Sequence, residues 1–178
     1  VLRCFSGKAL PVKEYSFVVL IVEQGPADTS TAGTFADVAA SLSSGLHSFG
    51  FASRVARCTD APSCSGELRQ PQEITVVLGA HNLQVFVDLN TNLPIVLCDH
   101  ASFLLDPAKA ILYNFEHVNS AFLVNSTSAQ LKNLGGSFFS SLTLEIFRRA
   151  HSVWDYSNSN TQDLNHLGIQ ATHVPLGA

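Results

Sequence analysis

The stretch YSFVVLIVEQ, Tyr15 to Gln24, constrains this chain more than any other. Phe17 to Val22 are apolar without a break and mostly β-branched. A strand with one wet face would alternate apolar and polar residues. A continuous run of this length predicts a strand buried on both faces, as in the interior of a parallel sheet. The run then opens abruptly into Glu23-Gln24. The same grammar recurs in EITVVLGAHN, which ends in His81-Asn82, and in AKAILYNFEHV, which ends in Asn114 and Glu116. It returns in the shorter HSVWDYSNSN, which ends in Asp155-Tyr156.

Between these runs the period changes. Phe35, Val38, Ala39, Leu42 and Leu46 fall at helical spacing within TFADVAASLSSGLHSFG, with Gly50 near the stop. The preceding GPADTSTAG is rich in turn formers and N-cap residues. FASRVARC reads as a short strand, and the Pro/Ser/Gly-rich TDAPSCSGELRQPQ as a surface loop. LPIVLCDH fits either a strand or a buried connection. SFFSSLTLEIFRRA carries Phe138, Leu142, Ile146 and Arg149 on a helical repeat; SNTQDLNHLG is a helix stopped by Gly168, and IQATHVPLG a last strand. Strands alternating with helices predict an α/β fold: a Rossmann-like open, mostly parallel sheet with helices on both faces, a three-layer sandwich. At 178 residues the chain fits a single domain spanning 1–178.

Several function classes drop out. The formal charge is −4 with 10 basic residues that form no stripe, so nucleic acid is not an expected partner. No apolar run reaches the ~20 residues of a membrane span, and no signal peptide is visible. The expected compartment is the cytoplasm, with a secretory one left open; the triplet at Asn125 matches the glycosylation acceptor pattern. Four scattered cysteines read as small buried thiols, although Cys58 and Cys64 are close enough in sequence to pair under oxidising conditions. There is no CxxC, and no metal site is expected. A single glycine follows the first strand, so no dinucleotide fingerprint is present; Walker and GxSxG motifs are absent too.

In an open parallel sheet the residues just past the strand ends gather along one edge, where ligands bind. The expected cleft is lined by Gln24, His81, Asn82, Asn114, Glu116, Asp155, Tyr156 and Asn160. His81 has the chemistry of a general base near neutrality. Glu116, an acid at the mouth of an apolar strand, must be hydrogen-bonded or have a raised pKa. Each has a plainer role available: polar residues after strands cap helices and tie loops, and Asp155 and Asn160 suit that equally well. Trp154, framed by Val153 and Tyr156, fits the core better than a sugar platform.

At ILYNFEHV and VWDYSNSNTQDLNHLGIQATHVPLG the sequence resembles a family of GT-B type glycosyltransferases. The matching positions are Tyr113, Asn114 and Glu116; then Trp154 to Ser157 and Asn160; then Gly168 and Val174 to Gly177, with GAHN at Gly79 to Asn82 also fitting. The likeness covers Glu73 to Gly177 and is weak before it. It implies an N-terminal, acceptor-binding half facing a C-terminal donor-binding domain, with a nucleotide sugar as co-substrate and neither cofactor nor metal. The acceptor would be a saccharide or another hydroxyl compound. On that likeness His81 is the first choice for the base and Glu116 the second, with the remaining rim residues binding substrate. The alternatives are a non-catalytic α/β binding or interaction module and a flavodoxin-like or receiver-like domain.

Overall fold

The structure, a computed structural model, describes residues 15–23, 29–68, 73–85, 109–116, 118 and 141–176. Six strands form one parallel sheet: β1 (Ser16–Val22), β2 (Ala52–Cys58), β3 (Glu73–Leu78), β4 (Ala110–Asn114), β5 (Ser152–Asp155) and β6 (Ala171–His173). The described helices are α1 (Thr29–Ser48), α2 (Ala61–Glu67), α3 (Ser141–Arg149) and α4 (Asn158–His166), with a 3-10 helix at Ala80–Val85. The sheet order is β2-β1-β3-β4-β5-β6. This is the open, Rossmann-like α/β architecture expected from the alternating patterns.

The order also decides which face each helix covers. The β1-to-β2 connection steps one way along the sheet, and the later connections step the other way. Parallel crossovers are right-handed, so the first helix packs on one face and the later ones on the opposite face. The core divides accordingly. Phe35, Val38, Ala39, Leu42 and Leu46 of α1 pack with Val19, Ile21, Val76, Leu78, Ile111 and Tyr113. Cys64 and Leu68 at α2, Leu83, Phe147 of α3 and Leu164 of α4 pack with Val18, Leu20, Val77, Leu112 and Val153. Strand parity does the sorting, since neighbouring residues point to opposite faces. Val18 to Val22 are all fully buried, because the strand is covered on both sides.

Three local readings change. TDAPSCSGELRQPQ is not wholly loop, for α2 occupies its first half. Asp60 caps that helix by accepting from the Ser63 N–H at 2.8 Å, while Ser63 Oγ accepts from the Asp60 N–H at 3.2 Å. Cys58 and Cys64 are bonded as a disulfide, which ties the end of β2 to α2; these two are therefore not free thiols. The helix α1 also begins earlier than expected, at Thr29, within the stretch read as turn. Its stop is as predicted, with Gly50 at φ 86°. Gln24, the LPIVLCDH segment, His117, Asn125, Phe138, Cys4 and Cys98 lie outside the described residues.

Candidate functional site

The order reverses between β1 and β3, and in open α/β sheets ligands favour the crevice at that switch point. Among the described residues, the turn after β3 is held close against the end of β1 there. Gly79 leaves β3 at φ 74°, and a Cβ there would sit 2.5 Å from the Val22 carbonyl oxygen. Only glycine fits so close an approach with that backbone. The turn carries Asn82 over the gap, where its Nδ2 donates to the Val22 carbonyl at 2.8 Å. Asn82 is thus a buried tie between the β3 turn and the end of β1. On the far side of β1, Glu23 pairs with Arg57 at 3.3 Å.

The polar groups collect farther along the rim, past β3, β4 and β5. In the sheet register Tyr113 lies beside Trp154, and Asn114 beside Asp155. Parity sends Tyr113 and Trp154 to the α1 face. It sends Asn114 and Asp155 to the other, under the start of α4. Asn114 Nδ2 donates to Asp155 Oδ2 at 2.7 Å and to the Glu116 carbonyl at 2.8 Å, and its Oδ1 accepts from the Glu116 N–H at 3.1 Å. From α4, Asn160 Nδ2 donates to the same Glu116 carbonyl at 2.9 Å, while its Oδ1 accepts from the Val118 N–H at 3.1 Å. Asp155 Oδ1 accepts from the Ser157 N–H at 2.7 Å, and Ser157 caps α4. Burial raises the Asp155 carboxyl pKa against the opposing effect of these donors. Among the described residues, no buried side-chain nitrogen or oxygen lacks a partner.

Two buried asparagines thus grip the backbone of Glu116. Its carboxyl lies 3.7 Å from His81 Nε2, with the glutamate side chain 24 % exposed and the histidine 8 %. That separation is too long for a hydrogen bond. Burial lowers the His81 pKa to about 4, so the ring is neutral near pH 7. Burial raises the Glu116 carboxyl. The carboxyl is the more accessible of the two.

The other side of the same rim is aromatic. Phe115 packs on Tyr113 with centroids 4.4 Å apart and stacks against Tyr156 at 6.1 Å and 14°. Trp154 meets Tyr113 edge-on at 6.0 Å, partly buried in the α1-side core as expected. The Tyr113 hydroxyl donates to the Val174 carbonyl, tethering the end of β6 to β4. The structure therefore brings together His81, Asn114, Glu116, Asp155, Asn160 and Tyr156, and sets Asn82 apart at the β1–β3 tie. Phe115 escaped the sequence reading. Its signal was an aromatic residue in the alternate position just beyond a strand end, where no core remains to bury it fully.

A cavity of about 250 Å³ lies at the opposite edge, before β5 and β6, lined by residues including Arg148, His151 and Gln170. Two helices end there, and Arg148 is engaged by the Leu167 carbonyl at 3.3 Å. No group of three or more His, Cys, Asp or Glu among the described residues is placed to hold a metal ion. Nor is any described helix long and apolar enough to cross a membrane.

No protein-family model matches the chain, and no curated protein does either. The class rests on the fold: an α/β domain with a six-stranded all-parallel sheet.

Proposed function

We propose that this domain is the acceptor-binding side of a sugar-transferring enzyme, with the reaction edge at the ends of β3, β4 and β5. One observation carries the reading. The Glu116 backbone is fixed by Asn114 and Asn160 while its carboxyl stays partly open beside a neutral imidazole. Such preorganisation suits a group that must meet a substrate in one geometry. Glu116 takes the proton of the acceptor hydroxyl as that oxygen attacks the anomeric carbon of the donor. The bond from that carbon to the nucleoside diphosphate breaks, and the diphosphate leaves with the bonding electrons. A carboxylate pKa raised toward the working pH makes a stronger base. His81 stands beside the carboxylate as a buried, neutral ring. The donor comes from a second, C-terminal domain, and the GT-B likeness of the YNFE and WDYSNSN segments supports that division. The Cys58–Cys64 bond favours an oxidising, secretory compartment over the cytoplasmic one.

The test has two parts. In the full-length protein, Glu116→Gln lowers sugar transfer by about 10²-fold or more, the usual contribution of a general base; unchanged rates in Glu116→Gln and His81→Gln alike overturn the assignment. By calorimetry, the chain alone binds acceptor and not nucleotide sugar; tight nucleotide-sugar binding would reverse the placement of the donor. The internal pairing of Asn114, Asp155 and Asn160 also favours a second reading, a binding module without turnover. That reading predicts ligand binding with no transfer in any protein context.

A further inference from the structure

We propose that Phe115 and Tyr156 form a stacking platform for the ring C–H face of a neutral saccharide acceptor. The idea rests on the sugar-transfer reading above and names the substrate class of that same rim. It starts from register. Tyr113 and Trp154 are paired across β4 and β5, so the next same-face positions, Phe115 and Tyr156, emerge beside each other where the strands end. Their rings stack at 6.1 Å and 14°. Phe115 is braced from behind by Tyr113 at 4.4 Å and by Phe35 at 5.5 Å. Tyr156 is the outer ring and remains 40 % exposed. An aromatic side chain held flat, buttressed and wet on the rim next to Glu116 is placed for a ligand with one apolar and one polar aspect.

The charges select among such ligands. The described rim segments 79–85, 113–116, 155–161 and 173–176 contain no lysine or arginine, while Glu116 and Asp155 are acids. Arg57, at the end of β2, is paired with Glu23. A diphosphate would find no lysine or arginine in these segments to meet it. A neutral saccharide lays its C–H face on the rings and donates hydroxyls to the Glu116 carboxylate. That is the acceptor's chemistry, not the donor's.

Saturation-transfer NMR on the chain tests this with methyl glucoside, methyl galactoside, methyl mannoside and uridine as probes. The emission of Trp154, the single tryptophan, is a second readout, because its ring contacts Tyr113 directly behind Phe115. Saturation passes most strongly to ring C–H protons of at least one glycoside. Binding weakens tenfold or more in Tyr156→Ala and is retained in Tyr156→Phe, both with unchanged cooperative melting. Absence of transfer to every glycoside, equal transfer in Tyr156→Ala, or a preference for uridine overturns the platform. The two proposals fail separately. Sugar transfer by full-length protein with an unchanged acceptor KM in Tyr156→Ala sinks the platform alone. Glycoside binding at the rings without any sugar transfer sinks the transfer reading alone.

Discussion

Replacing His81 with glutamine should remove most of the acid sensitivity of folding above pH 4.5. The residue is only 6 % exposed, and burial lowers its pKa from 6.5 to about 4. The folded ring stays neutral over a range in which the unfolded chain's ring takes up a proton. The unfolded state therefore binds more protons between those two values. The His81 contribution is fully present well above pH 6.5 and is lost as the pH falls toward 4. Linkage puts the loss at roughly 1 kcal/mol by pH 5.5 and roughly 2 to 3 kcal/mol by pH 4.5. Glu116, 3.7 Å away, and Asp155 act with the opposite sign. Burial raises both carboxyls, so their contribution is present at low pH and is lost as the pH rises through the folded values. The wild-type curve alone thus mixes two trends, whereas the difference between wild type and His81→Gln isolates the histidine. Urea unfolding at pH 7.5, 6.5, 5.5 and 4.5, at constant ionic strength, measures it as a shift in midpoint with unchanged slope. Parallel stability curves for the two proteins would show that the ring is not held neutral by burial.

Two further outcomes test the scaffold. Gly79→Ala meets both a left-handed backbone, ~1–2 kcal/mol, and the Val22 carbonyl 2.5 Å from the new Cβ, an overpacking cost of about 1–3 kcal/mol. Gly168→Ala has a similar φ of 78° but open space around it, so in urea it should lose clearly less stability than Gly79→Ala; equal losses would mean that the β1–β3 contact does not resist the methyl. Replacing Cys58 and Cys64 together by alanine opens a loop with a sequence separation of 6 and should lower stability by about 2 kcal/mol. An oxidised wild type that unfolds at the same urea concentration as the variant would contradict that.

The strands were the legible part of this chain. Unbroken apolar runs such as Val18 to Val22 have one physical meaning at that length, and the spacing of Phe35, Val38, Leu42 and Leu46 has another. Both are written in consecutive residues. The helix α2 was harder to see, although Asp60 and Ser63 carry a capping box, because a short helix in a Pro/Ser/Gly-rich stretch owes its stability to packing under β2 and to the disulfide. For the site, the sequence marked which residue types leave the sheet, and parity along each strand set their alternation. It gave no sign that Asn82 ties the β3 turn to β1 while Asn114 and Asn160 serve Glu116.

Composition and periodicity alone determined that parallel strands would carry polar tips to one edge, since burial on both faces excludes those groups from the strand interiors. Strand order and register belong to the tertiary structure. They result from long-range pairings such as Asn114 with Asp155, residues 41 positions apart in the chain. No local pattern encodes a hydrogen bond between groups that meet only once the sheet has assembled, and it is those bonds that place Glu116 beside His81 and Phe115 against Tyr156.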